Sequence, residues 1–224
     1  ERILNRRSIH SNDAEDIAIV SMYSLLQSLS DGKFPRVKNR DDVWITLMRI
    51  VQTFGFHLAV LDVRQNSAFH DRAVEQLLSA AGLERTNFSQ WSEEERLQLL
   101  ESELLSRRPF ARPDSSLGPE ADAVLSALRV LKEYREAYGH DGLGALIVSM
   151  TRSVSDLLVV YLLAREVGLM EETTEGLRCP LAVVPLFETV DDLKNSPTIY
   201  DAFLNHPITK RSLPSGINSS STLD

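Results

Sequence analysis

Three short apolar runs each close on polar groups suited to binding charged ligands. The run 57–63 leads into Arg64 and Gln65, the run 145–150 ends in Ser149, Met150, Thr151 and Arg152, and the run 181–187 leads into Glu188 and Thr189. Arg64 suits a phosphate or a carboxylate, because its planar guanidinium can present two parallel N–H donors to either. Glu188 suits a hard divalent cation such as magnesium, which takes one or two carboxylates and fills its other places with water or substrate oxygens. Other roles remain open at this point. Arg64 could pair with Asp62, which lies on the same face of an extended chain, or with a helix end. Glu188 could be a surface residue or cap the next helix. Thr189, Asp191 and Asp192 read as capping residues.

The pattern around these residues says what must position them. The valine-rich runs read as buried strands, and each is followed by a helical segment. Parallel strands near 58–64, 145–150 and 181–187 are therefore expected, because a strand–helix succession makes a parallel sheet. Ligands in such sheets gather at the C-terminal strand ends. Helical spacing covers 13–29, 41–54 and 68–81, with Gly82 beyond the last. Ser92 and Glu95 have capping-box spacing before a helix over 92–105. A loop is expected over 107–118. A helix follows over 119–138, with Pro119 at its start and Gly139 at its stop. Ser153 reads as the cap of a helix reaching Val167, ended by Gly168. Residues 191–193 read as a short helical turn, and Ser196-Pro197 as the cap and first position of a separate helix to about Asn205.

Bulk properties exclude several classes. The 224-residue chain carries a net charge of -8, with 32 acidic and 24 basic residues, which argues against nucleic acid as a partner. The apolar run 157–164, closed by Asp156 and Arg165, is far short of the ~20 residues that span a bilayer, so no membrane partner is expected. The single cysteine, Cys179, permits no internal disulfide and reads as a small buried residue in a reducing compartment. No pair of the five histidines has zinc-site spacing with a third ligand nearby, and His10, His57, His70, His140 and His206 read as structural. Trp44 and Trp91 read as core or interface residues on helices. The chain opens without methionine, as a segment of a longer protein would. The polar tail over 214–224 is expected to be disordered.

Three ordered strings carry a family resemblance. Leu58 to Ser67, reading Leu-Ala-Val-Leu-Asp-Val-Arg-Gln-Asn-Ser, resembles a phosphoenolpyruvate carboxylase segment, with Asn66 where glutamate is commoner. Ile147 to Asp156 is similar to that family's isoleucine-serine-methionine segment leading to serine-aspartate. Leu181 to Leu193, containing Pro-Leu-Phe-Glu-Thr, is similar to a third. The resemblance runs from about Asp41 to Leu213. It implies a helix-dominated α/β fold in which residues 1–213 form part of a phosphoenolpyruvate-binding (β/α)8 TIM-type barrel with extra helices. It implies the conversion of phosphoenolpyruvate and bicarbonate to oxaloacetate and phosphate with Mg2+ or Mn2+. Arg64 then matches the family's substrate-binding arginine, Glu188 its metal-binding glutamate, and Leu186 a position beside the site. A cytoplasmic homotetramer is the family's usual form.

The same resemblance places other working parts outside this chain. These are the catalytic histidine, a second metal-binding aspartate and a glycine-rich arginine loop, so the isolated chain is expected to be inactive. Two alternatives stand beside this reading. One is a different metal-dependent barrel enzyme acting on pyruvate or its enol, and the other is a non-catalytic, truncated relative serving as a scaffold.

Overall fold

The run ending in Arg64 forms strand β1 (Leu61–Asn66), and Asn66 turns the chain directly into helix α1 (Ser67–Ala80). The cap is the Asn66 side chain, whose Oδ1 accepts from the Ala68 amide at 2.8 Å. In the computed structural model, residues 60–112, 115–140 and 142–213 are described, with 27, 28, 31, 39, 41–45, 48 and 49 before them. The chain divides into two compact units, Glu1–Val60 with Glu136–Gly142, and Leu61–Arg135 with Leu143–Asp224. In the first, residues 41–45 and 48–49 are helical, inside the helix expected over 41–54, and Trp44 is half exposed. The helix expected over 13–29 lies outside the described residues except at 27 and 28, which are helical, and so does the tail from 214.

Along the chain, a short 3-10 turn (Phe88–Gln90) and helices α2 (Glu93–Glu103) and α3 (Pro119–Tyr138) follow. Strand β2 (Leu143–Ser149) and helix α4 (Val154–Glu166) come next. A hairpin of β3 (Glu171–Thr173) and β4 (Gly176–Arg178) precedes β5 (Ala182–Leu186), α5 (Val190–Asn205) and α6 (Pro207–Ser212). The sheet has three parallel strands in the order β1-β2-β5. That order never doubles back, so right-handed crossovers carry the connecting helices to one face. The register sets Val63 and Val183 beside Leu146, and Leu146 and Val148 on that face are buried. The alternate positions Arg64, Ile147 and Val184 align on the opposite face.

Helix α4 organises the core. Every residue from Ser155 to Glu166 is buried, so the helix is enclosed all round. It packs against α1, α2, α5 and β5. Helix α2 starts with both capping-box bonds, the Glu95 amide to Ser92 Oγ at 3.3 Å and the Ser92 amide to Glu95 Oε2 at 2.9 Å. The expected α3 matches in both bounds, and Gly139 follows it with φ 78°.

Several expectations need correction. Strand β1 runs on to Asn66, past the expected end near Arg64, so Gln65 and Asn66 also lie within it. Residues 57–59 are outside the described set. Ser153 occupies the cap position of α4 but makes no capping bond; its hydroxyl meets Ser155 Oγ instead. The two helical pieces expected over 191–205 are one helix, α5, with Pro197 inside. Proline removes the amide that would bond the carbonyl four residues back. Here the Ser196 hydroxyl donates to that Leu193 carbonyl at 2.8 Å, so the acceptor is satisfied and the helix continues. Trp91 follows the 3-10 turn rather than lying on a helix. The β3–β4 hairpin and α6 had no counterpart in the sequence reading.

Candidate functional site

The three strand ends meet as expected, and they bring Arg64 and Glu188 together. Arg64 Nη2 donates to Glu188 Oε1 at 2.7 Å, across 124 positions of sequence. The other oxygen, Oε2, accepts from the Met150 backbone amide at 3.0 Å. Each strand of the sheet thus contributes: β1 through Arg64, the end of β2 through Met150, and the end of β5 through Glu188.

Met150 is the only described non-glycine residue with positive φ, at 54°. A side chain there costs about 1 kcal/mol or more, so its neighbours must hold it. They do so from three sides. Ser67 Oγ donates to the Met150 carbonyl at 2.7 Å. The Thr151 amide donates to the Leu186 carbonyl at 3.2 Å. Thr151 Oγ1, fully buried, donates to the Val148 carbonyl at 2.8 Å. Leu186 therefore contributes through its backbone, which ties the end of β5 to the turn after β2.

The open alternatives resolve. Asp62 does not pair with Arg64. Its Oδ1 accepts from the Ala145 amide at 2.8 Å, where the β1–β2 register is irregular. A Cβ on Gly144 would lie 2.1 Å from that oxygen, so the close approach needs glycine there. Glu188 does not cap α5. Thr189 does, its Oγ1 accepting from the Asp192 amide at 3.1 Å.

Two residues beyond Met150, Arg152 enters a charge network that the sequence alone did not reveal. Arg96 Nη2 donates to Asp71 Oδ1 at 2.5 Å and to Asp156 Oδ1 at 3.0 Å. Arg152 Nη2 reaches the same two carboxylates at 2.7 and 2.8 Å. Burial pushes the Asp71 carboxyl up from its ordinary value, against the pull of Arg96 and Arg152. Hydrogen bonding to Asp156 raises the Arg152 guanidinium. The neighbouring His70 is held down to about 4, because burial disfavours its charged form. Asp71 and Arg96 sit on two helices whose charges read as surface. Asp156, flanking the apolar run of α4, and Arg152, at the end of the second strand, carried a signal.

Cys179 is fully buried and its thiol is pushed up to about 12 by that burial. His206 is lowered by desolvation at the α5–α6 junction. A cavity lined by apolar residues including Leu61, Leu143, Leu146 and Leu181 lies at the opposite, N-terminal end of the strands.

The carboxylate of Glu188 is of the donor type that a divalent cation takes. Glu188 offers hard carboxylate oxygens and is partly exposed, 31% for its side chain. Among the described residues no group of three His, Cys, Asp or Glu is placed to hold a metal, so Glu188 would be one ligand of several.

The fold and mouth define a class: a helix-dominated α/β protein with a parallel sheet and a paired cation and carboxylate at its C-terminal edge. The family model for phosphoenolpyruvate carboxylase matches residues 8–220, beyond both ends of the motif-based resemblance. The chain is 40% identical over 176 residues to a phosphoenolpyruvate carboxylase of Rhodothermus marinus, covering 75% of this chain and 19% of that protein. It is 39% identical over 168 residues to that of Mycobacterium leprae (strain TN), covering 75% and 18%. It is 38% identical over 187 residues to phosphoenolpyruvate carboxylase 1 of Chlamydomonas reinhardtii, covering 83% and 17%. The chain belongs to the phosphoenolpyruvate carboxylase family, and it spans about a fifth of the length of these curated relatives. No described helix is long and apolar enough to cross a membrane.

Proposed function

We propose that this chain supplies part of the active site of a phosphoenolpyruvate carboxylase, which forms oxaloacetate and phosphate from phosphoenolpyruvate and bicarbonate. The observation that carries the reading is the 2.7 Å approach of Arg64 to Glu188 at the sheet's C-terminal mouth, where α/β enzymes bind their ligands. Arg64 binds an anionic group of the substrate, the phosphate or the carboxylate, with its forked donors. Glu188 serves as one ligand of Mg2+ or Mn2+; when bound, the cation supplies Lewis-acid stabilisation of charge developing on the enol oxygen. Leu186 holds the turn that carries the Met150 amide, and that amide fixes one oxygen of Glu188.

The uninterrupted strand order supports a sheet that continues into a (β/α)8 barrel, with residues 1–213 in the barrel region. Helices on one face leave the other, which bears Arg64, for the barrel interior. A cytoplasmic homotetramer is the assembly proposed, on the family resemblance alone. The test of the substrate role is a coupled oxaloacetate assay on a full-length family enzyme carrying these segments. Arg64→Ala should lower kcat/KM for phosphoenolpyruvate by roughly 10- to 100-fold, the equivalent of a lost charged hydrogen bond of ~1.5–3 kcal/mol. An unchanged kcat/KM refutes the role.

A further inference from the structure

Glu188 is held by two donors of different kinds. Oε2 accepts from the Met150 amide, a backbone group in a turn that Ser67, Leu186 and Val148 fix from separate elements. That donor cannot withdraw without moving the strand ends. Oε1 accepts from Arg64, whose side chain is 55% exposed and turns on several free torsions. An exposed ion pair of this kind is weak and readily exchanged. A guanidinium and a divalent cation also cannot share one carboxylate oxygen without strong like-charge repulsion. Of the two contacts, therefore, only that of Arg64 can be given up.

We propose that Arg64 is an exchangeable counter-ion of Glu188, neutralising it in the absence of metal and released toward the anionic substrate when a divalent cation takes the carboxylate. This rests on the reading of Glu188 as a metal ligand and Arg64 as a substrate-binding residue. It adds that the two roles exclude each other in the empty site and become compatible only when both ligands bind. Substrate that captures Arg64 exposes Glu188 to the cation, and cation that captures Glu188 frees Arg64. Metal and anion then bind with positive coupling, and by linkage each strengthens the other equally. The sign is unusual for a binding-site residue: without substrate, Arg64 opposes the metal.

Mn2+ binding is measured by electron paramagnetic resonance of the free ion, without substrate, in a full-length family enzyme carrying these segments. Arg64→Gln and Arg64→Met should each tighten Mn2+ binding, by roughly two- to five-fold, the scale of a lost exposed ion pair. Glu188→Gln should weaken it by about ten-fold or more. Misfolding cannot mimic the first result, because it does not improve affinity. Unchanged or weaker Mn2+ binding in both arginine variants, with binding still lost in Glu188→Gln, overturns the counter-ion proposal and leaves the metal role standing. Unchanged Mn2+ binding in Glu188→Gln overturns the metal role and the counter-ion with it.

Discussion

Replacing Arg96 by methionine should destabilise the fold far more than a helix-surface change would. Its guanidinium is shared by Asp71 and Asp156, and the three side chains are 8%, 2% and 0% exposed. Methionine keeps an apolar contact with the Phe88 ring, over which the guanidinium sits at 4.6 Å, so the loss is mainly one of charge. Removing one partner of a buried ionic group costs about 3–5 kcal/mol, because the remaining charge stays desolvated. Arg152 still reaches both carboxylates from a half-exposed position, which sets the expectation near the lower end, about 3 kcal/mol. The pH dependence has a definite sign. A carboxyl whose folded pKa is raised binds its proton more tightly in the folded state, so stability falls as pH rises above the unfolded value. Arg96 opposes the upward shift of Asp71, so its loss raises that pKa further. The penalty should therefore be larger at pH 7 than at pH 5. Urea unfolding followed by circular dichroism reads both quantities. A loss under about 1 kcal/mol at pH 7, or a penalty that grows on acidification, refutes the account of the network.

Other outcomes follow from single sites. His70, lowered to about 4 by burial, contributes stability that is fully present above its unfolded value of 6.5 and is lost as pH falls from there toward 4. His70→Phe should flatten that segment of the stability profile by roughly 3 kcal/mol in unfolding experiments, and an unchanged slope refutes it. Cys179 should resist thiol reagents in the native chain and react on unfolding, since it is fully buried with its thiol pushed up to about 12; rapid native labelling contradicts this. The isolated chain should form no measurable oxaloacetate, because it spans about a fifth of the length of the family enzymes it matches. Turnover that copurifies with the chain and disappears in Glu188→Ala contradicts that expectation.

Local signals were legible wherever one segment determined the outcome. The apolar run of α4, the Ser92–Glu95 capping box and Pro119 each announced an element, and the valine runs announced the three parallel strands, although β1 and β5 are partly exposed rather than buried as those runs implied. Pro197 misled, because the hydroxyl that compensates for it belongs to the residue just before it, which reads equally well as a cap. The β3–β4 hairpin escaped because it lacks an alternating apolar face; the Glu171–Arg178 ion pair joins its opposed ends. The strand-end rule selected Arg64 and Glu188, while their pairing, the Met150 amide and the Arg96 network depend on contacts between distant segments. Arg96 in particular sits in Glu-Glu-Glu-Arg, a string that reads as solvated.

The most direct test of the central claim is the metal dependence of Glu188→Ala in a full-length family enzyme carrying these segments. With Mg2+ or Mn2+ varied at saturating phosphoenolpyruvate and bicarbonate, Glu188→Ala should raise the cation concentration needed for half-maximal turnover by about ten-fold or more and lower the turnover reached, as loss of a charged ligand requires. Metal dependence and turnover both equal to the parent's would contradict the assignment of the Arg64–Glu188 mouth as the catalytic one.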